Sequence, residues 1–185
     1  MYIQPGMPAP VFEAVDLFGD AVDFAAYRGR PVLLSFFRNA ACALCNLRLH
    51  ALIERYADYR RAGLEIVAVF ESPAASMLQY VGKQDAPFPI VADPGAGLYA
   101  LYGVESSVAK VEATMAMAET QQVVGEAATK GFQLTQEAGS NFLRMPADFL
   151  IGADGRVLQA HYSEYVWDHM PFARIEELLG LAVPA

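Results

Sequence analysis

The chain has 185 residues, of which 55% are hydrophobic, and carries a formal net charge of −8 at neutral pH. This length and composition suffice to bury one full core, so we expect a single domain over residues 1–185. The acidic balance argues against nucleic acid as a partner, because phosphate binding needs an excess of basic residues. We find no apolar stretch long enough for a membrane span and no signal-peptide pattern in the first residues, so we expect no membrane partner and a cytoplasmic location.

The predicted elements, taken in chain order, alternate between short apolar runs and helical patterns. They are a hairpin over 11–24, a buried central strand over 31–37, a helix from Cys45 to Gly63, a strand over 65–70, a helix opened by Ser72 and Pro73 and ending near Val81, a short strand over 87–91, a short helix capped by Asp93-Pro94 and ending at Leu101, a hairpin of strands 147–151 and 157–162, and a closing helix over 171–179. This order predicts an α/β fold.

The helix that follows the central strand has one apolar face. Its members recur at the spacing of helical turns and are Cys45, Leu49, Leu52, Tyr56 and Tyr59. We therefore expect this helix to pack along its whole length against the sheet, with its first turn at the end of the central strand.

The only two cysteines of the chain, Cys42 and Cys45, fall where the central strand passes into this helix. The first turn of a helix presents free N–H groups and the positive end of the dipole, which favour a thiolate. In a Cys-x-x-Cys motif at such a position the first cysteine is the usual thiolate, with a pKa below ~8.5. We predict that Cys42 is the nucleophile and that Cys45 resolves its mixed disulfide or sulfenic acid into an intramolecular disulfide.

Three other roles for the cysteines stay open. A zinc site would need two further ligands, and the three histidines, His50, His161 and His169, are scattered along the chain. A structural disulfide across two residues would close too small a loop to stabilise the fold much. Two inert core cysteines are the third alternative. The pattern favours redox chemistry, with no metal and no cofactor.

Several short motifs occur in order along nearly the whole chain, apart from a segment in its second half. They are PAPVF at 8–12, AYRGRPV at 26–32, IVADP at 90–94, LYGV at 101–104, MPADFLI at 145–151 and DGRV at 154–157. Together with the dithiol they resemble the peroxiredoxin-like branch of the alkyl hydroperoxide reductase/thiol-specific antioxidant family, within the thioredoxin-like superfamily. The resemblance implies a thioredoxin-like three-layer sandwich with an N-terminal β-hairpin.

The cysteine motif departs from the ordinary members of this family. Peroxiredoxins carry Pro-x-x-x-Thr/Ser-x-x-Cys, whereas here Asn39 lies three residues before Cys42 and Ser35 lies seven before it. The Cys-x-x-Cys spacing is instead that of thioredoxins. The chain therefore combines a peroxiredoxin-like frame with a thioredoxin-like dithiol.

The resemblance also points to residues outside the dithiol. Pro146 occupies the place of the cis-proline of thioredoxin-like proteins, which implies a cis peptide bond and a contact with Cys42. Arg144 lies within about one residue of the place from which a peroxiredoxin arginine helps to hold the thiolate. Glu71 follows a predicted central strand and is a weaker candidate for a proton acceptor.

The 40 residues from 104 to 143 are more than a peroxiredoxin needs between the motifs that flank them. A structureless loop of this length would be unusual, and the composition favours helix. Its expected apolar face consists of Val104, Val108, Val111, Met115 and Ala118. We expect a helical insertion packed on its own domain, while a lid over the dithiol and a dimerisation element stay open.

These features predict a thiol-dependent antioxidant oxidoreductase. Its substrate would be a peroxide or a disulfide, and an external thiol reductant would restore the dithiol. The alternative is a redox sensor or binding module, in which the dithiol controls a partner contact through the 104–143 insertion. A homodimer is compatible with both.

Overall fold

A five-stranded mixed sheet forms the centre of the computed structural model, which describes residues 2–181. The ends of the predicted domain, Met1 and residues 182–185, lie outside the described residues. The strands are β1 (Glu13–Val15), β2 (Ala21–Asp23), β3 (Val32–Phe36), β4 (Glu65–Phe70), β5 (Ile90–Ala92), β6 (Ala147–Ile151) and β7 (Val157–Tyr162).

The sheet order is β5-β4-β3-β6-β7, so the predicted central strand β3 lies in the middle. Strand β3 pairs in parallel with β4 and antiparallel with β6, and all five of its residues are buried. Its side chains alternate between the two faces of the sheet: Leu33 packs in one core cluster and Leu34 in the other. Strands β1 and β2 form the predicted N-terminal hairpin as a separate two-stranded sheet.

Helices cover both faces of the central sheet, which gives the three layers of a sandwich. They are α1 (Ala43–Arg61), α2 (Ala74–Gln79), α3 (Gly97–Tyr102), α4 (Val108–Ala116), α5 (Ala118–Thr129) and α6 (Phe172–Leu178). The apolar face predicted for α1 is confirmed, because Cys45, Leu49, Leu52, Tyr56 and Tyr59 are all buried. Within residues 2–181 no helix is long and apolar enough to cross a membrane.

The 104–143 segment contains α4 and α5, so its predicted helical character is confirmed. Helix α5 lies beside α1, the helix of the cysteines. The predicted apolar face is wrong in part: Val111 is buried, but Val108 and Met115 are about half exposed. Helix α4 ends at Ala116 and α5 starts two residues later, so a single helical periodicity does not continue through this segment.

Two local predictions are corrected by the backbone. The peptide bond before Pro146 is trans, because the structure contains no cis bond in the described residues. The trans form is the lower-energy state of an X-Pro bond, and here it leads directly into β6. Ser72 does not cap α2: the N-cap position is Pro73, and the Ser72 hydroxyl instead accepts a hydrogen bond from the Ala40 N–H, at 2.9 Å.

A buried carboxylate joins the sheet to the chain before α6. Asp148, fully buried on β6, accepts hydrogen bonds from the Ser35 hydroxyl, from His169 Nδ1 at 3.0 Å and from the Met170 N–H at 2.7 Å. Burial raises the pKa of Asp148, but the neighbouring His169 and the guanidinium of Arg48 lower it more. The pKa of this carboxyl therefore lies well below its usual range. This cluster fixes the last part of the chain against the central strand.

Replacing Asp148 by Ala should lower the free energy of unfolding by about 3–5 kcal/mol, because three buried donors lose their acceptor. Chemical denaturation at neutral pH measures the loss. Asp168→Ala, which breaks the half-buried His161–Asp168 pair, is the matched control and should cost about 1 kcal/mol or less. Equal losses in the two variants would contradict the role given to the buried cluster.

Candidate active site

Cys42 lies at the junction predicted from the sequence, as the N-cap residue of α1. Its backbone is extended, and its sulfur accepts the N–H of Cys45 at 3.3 Å. A sulfur at this position replaces the side-chain oxygen of an ordinary N-cap and receives N–H groups that the helix cannot bond internally. These N–H groups favour the thiolate form of Cys42.

The two thiols are inequivalent although both are reduced and buried. A hydrogen bond from Cys45, the positive charge of Arg38 and the N–H groups of Cys45 and Leu44 together outweigh burial and lower the pKa of Cys42 to about 6. Burial and the negative charge on Cys42 raise the pKa of Cys45 well above its ordinary value. At neutral pH the pair therefore holds one thiolate, on Cys42, and one thiol, on Cys45.

Arg38 supplies the positive charge beside the thiolate. Its side chain is buried, and Nη1 lies 3.9 Å from the Cys42 sulfur. Its other nitrogens donate to backbone carbonyls at the C-terminal end of the insertion: Nε donates to the Arg144 carbonyl at 2.9 Å and Nη2 donates to the Phe142 carbonyl. The Phe142 ring packs on the guanidinium, with its centroid 5.1 Å from Cζ of Arg38. Arg38 is thus held rigidly against Cys42.

The structure pairs the two other charged candidates with each other. The Arg144 guanidinium bonds the Glu71 carboxylate and the Val104 carbonyl, and it packs over the Tyr99 ring at 4.7 Å. The arginine within reach of Cys42 is therefore Arg38, which sequence reasoning missed. The signal was available, because Arg38 lies four residues before Cys42, at the end of the central strand, where a buried arginine needs a negative partner.

Pro146, the third predicted site residue, is buried at the entry to β6. Its carbonyl accepts the Ser163 N–H at 3.3 Å. Its contact with Cys42 stays a prediction, while the preceding residue, Met145, lies in the same core cluster as Cys42 and Cys45.

Cys42 opens into a cavity of about 150 Å³. Seven apolar side chains line it, and four of them come from the insertion: they are Ala43, Leu44, Met115, Val124, Leu134, Phe142 and Val166. Arg38 supplies a cation beside the sulfur, and the other polar side chains of the wall include Asn39, Gln121, Gln136 and Glu137. The cavity offers a small reactant a route to Cys42 through a wall of mixed polarity, with a cation beside the reacting sulfur.

Residues 132–143, which we call the covering segment, lie over the loop that joins β3 to α1, residues 37–42, which we call the cysteine loop. The Thr135 hydroxyl donates to the Ala41 carbonyl at 3.2 Å. The Ser72 hydroxyl donates to the Glu137 carboxylate at 2.7 Å while it accepts from Ala40. These bonds tie the end of the insertion to the loop that precedes Cys42.

The part of the chain that the structure describes contains no group of three or more His, Cys, Asp or Glu side chains placed to hold a metal ion. The two cysteines have each other and Arg38 as neighbours, and His169 is engaged with Asp148. Cys42 and Cys45 thus form a close pair beside Arg38.

A central sheet with Cys-x-x-Cys at the start of its first long helix defines the thioredoxin-like class of proteins. Two solved structures share the fold over nearly the whole chain. The peroxidoxin BcpB of Mycobacterium tuberculosis has a TM-score of 0.66 at 16% identity, covering 97% of this chain and 96% of its own. A putative thiol:disulfide interchange protein DsbE of Chlorobium tepidum has a TM-score of 0.62 at 21% identity, covering 95% and 93%.

The family model described as AhpC/TSA family matches residues 5–160, and the chain belongs to this family. Among curated relatives, a putative chloroplastic peroxiredoxin Q of Oryza sativa is 27% identical over 57% of this chain and 49% of its own length. The thiol-disulfide oxidoreductase ResA of Bacillus thuringiensis is 29% identical over 55% and 59%. The chain thus spans about half the length of the curated relatives it matches.

Replacing Arg38 by Met should raise the pKa of Cys42 by about one unit from its value of about 6, because the thiolate loses the adjacent cation. Alkylation of the reduced protein by iodoacetamide, measured against pH, reports this value, and the rate at pH 6 should fall about fivefold. Arg144→Met is the control, since its guanidinium faces Glu71, and it should leave the profile in place. A shifted profile in Arg144→Met with an unchanged profile in Arg38→Met would show that Arg144, and not Arg38, stabilises the thiolate.

Proposed function

We propose that the protein is a thiol-dependent antioxidant oxidoreductase in which Cys42 attacks a peroxide or disulfide and Cys45 resolves the product. The observation that carries the proposal is the pairing of a low-pKa Cys42, facing a cavity, with a protonated Cys45 one turn later on the same helix. Membership of the AhpC/TSA family supports it.

The first step is attack by the Cys42 thiolate. With a peroxide, a sulfur–oxygen bond forms, the oxygen–oxygen bond breaks, and an alcohol or water leaves after it takes up a proton, so that Cys42 becomes a sulfenic acid. With a disulfide, a sulfur–sulfur bond forms to Cys42 and one thiolate leaves. Arg38 and the N–H groups at the start of α1 hold the attacking sulfur in its charged form.

The second step is resolution by Cys45. Its sulfur attacks that of Cys42, a disulfide forms between them, and water or the second thiol leaves. The hydrogen bond from Cys45 to Cys42 places the two sulfurs as neighbours in the reduced state. An external thiol reductant then supplies two electrons and two protons to restore the dithiol, as the cytoplasmic location that we propose would allow.

The choice between peroxide and disulfide depends on the surroundings of Cys42. The threonine or serine expected three residues before a peroxidatic cysteine is replaced by Asn39, which lines the cavity. The relatives include proteins named as peroxiredoxins and proteins named as thiol-disulfide oxidoreductases. Both substrates require the same two cysteines, so we keep both in the proposal.

Cys42→Ser should abolish oxidation by hydrogen peroxide and by a model disulfide, because no thiolate remains at the cavity. Cys45→Ser should keep the first step and lose turnover, accumulating sulfenic acid or a mixed disulfide on Cys42. Stopped-flow measurement of both oxidants with the wild type and the two variants tests this. Rapid reaction with peroxide defines a peroxidase, and reaction with the disulfide alone defines a reductase; full turnover by Cys42→Ser would contradict the proposal.

A redox sensor is the second candidate function, and the bonds between the covering segment and the cysteine loop favour it. Because Thr135 and Glu137 are tied to the loop through Ala41 and Ser72, a rearrangement of that loop on disulfide formation would reach the insertion. A sensor changes state once, whereas an enzyme cycles repeatedly when reductant is present.

Hydrogen exchange of the reduced and oxidised protein separates these functions. A sensor should show exchange in residues 132–143 at least tenfold faster after oxidation, because the bond that Thr135 donates and the bond that Glu137 accepts both open and release the segment. Residues 147–151 of β6 serve as the internal reference, since they are paired on both sides in the sheet. Identical exchange in the two redox states would exclude the sensor.

A further inference from the structure

A second cleft, of about 370 Å³, lies near the cysteine loop and is largely separate from the cavity that Cys42 faces. Only Ala43 and Thr135 line both spaces. The side chains of the second cleft are mostly uncharged and polar: they include Asn46, Gln79, Tyr80, Gln84, Gln133 and Thr135. Cys42 itself is not part of its wall, so the proposed thiol chemistry leaves these amides without a function.

Asn46 connects this cleft to the loop. It is 6% exposed, on the first turn of α1, and its Nδ2 donates to the Ala40 carbonyl at 2.8 Å and to the Cys42 carbonyl at 3.0 Å. Its Oδ1 accepts a hydrogen bond from Gln84 Nε2 at 2.8 Å. One amide therefore uses both of its N–H groups on the cysteine loop, and a second amide fixes its orientation.

The same loop is held from its other side by a hydroxyl. The Ala40 N–H donates to Ser72 at 2.9 Å, while the Ala40 carbonyl accepts from Asn46. With both polar groups of Ala40 bonded in a buried position, the peptide planes on either side of it cannot rotate without losing a buried hydrogen bond. Backbone bonds hold the start of the loop, from the Phe37 N–H to the Val69 carbonyl and from the Glu71 N–H to the Arg38 carbonyl, whereas its middle, at Ala40, is held by side chains.

This orientation bears directly on the thiolate. The N–H of Cys45 points at the Cys42 sulfur only while the loop delivers Cys42 to the N-cap position of α1. The Cys42 carbonyl accepts both the backbone N–H of Asn46, as in any helix, and its Nδ2, each at 3.0 Å. The bond that only the side chain supplies is the one to the Ala40 carbonyl, which holds the loop just before the reactive sulfur. Loss of the side-chain bond to the Ala40 carbonyl frees the loop before Cys42 to turn, and the sulfur is then no longer held against the N–H groups of the first helical turn.

We propose that Asn46, oriented by Gln84, is a positioning residue that keeps the Cys42 sulfur against the N-terminus of α1. Asn46 does not touch the reacting atoms and acts through the backbone of the cysteine loop. The inference rests on the proposed function only in taking Cys42 as the reacting sulfur, and its readout is independent of turnover.

The test is the pH profile of iodoacetamide alkylation of Cys42 in a Cys45→Ser background, with and without changes at the amide pair. Asn46→Ala should slow alkylation at pH 6 about fivefold relative to that background, as the profile moves about one unit upward. Gln84→Met should move it in the same direction with about a twofold effect, because Asn46 keeps its own bonds but loses its orienting partner. Gln79→Ala, an exposed residue of the same cleft, is the matched control and should leave the profile unchanged.

Thermal unfolding of each variant accompanies the profiles. A lower melting temperature of Asn46→Ala with an unchanged alkylation profile would indicate a merely structural role and would overturn the inference. An equal shift of the alkylation profile in Gln79→Ala would also overturn it. If Asn46→Ala fails to fold, the Gln84→Met profile decides. Absence of turnover in the wild type, together with a shifted profile in Asn46→Ala, would contradict the proposed function and leave the positioning role standing.

Discussion

The site depends on one constraint: a sulfur occupies the N-cap of α1 at the end of the central strand. The strand β3 is buried on both faces and ends at Phe36, so the chain must turn before α1 packs back over the sheet. The first N–H groups of α1 have no partner within the helix, and Cys42 receives them. The residue that caps the start of the helix is therefore also the one whose thiolate the helix stabilises.

Several residues around Cys42 add charge to this arrangement or hold it in place. Arg38 contributes the cation, and its remaining N–H groups are held by carbonyls of Phe142 and Arg144. Ser72 accepts a hydrogen bond from the Ala40 N–H, and Asn46 donates one to the Ala40 carbonyl. Because these partners come from the distant 72, 84 and 142–144 regions of the chain, the reactivity proposed for Cys42 is a property of the whole fold.

The insertion is the least ordinary feature of this AhpC/TSA family member. Helix α5 lies beside α1, and the covering segment bonds the cysteine loop and lines its cavity. Met115, which the helical periodicity placed on the apolar face of the insertion, lines the cavity of Cys42 while remaining half exposed. The segment thus contributes to the site, in addition to packing on the domain.

The sequence by itself determined the elements whose patterns are local. Strands 65–70, 147–151 and 157–162 were predicted to the residue, and the dithiol was placed at the start of α1, because apolar runs and helical faces are set by neighbouring residues. Only the tertiary structure decided which charged residue meets the thiolate. Arg38 lies only four residues before Cys42, but its buried position depends on the Arg144 carbonyl, 106 residues away, and Arg144 itself is paired with Glu71 across 73 residues. Periodicity cannot record contacts of this length. The trans bond at Pro146 and the partial exposure of the insertion were decided in the same way, since both depend on what packs against the chain rather than on its local pattern.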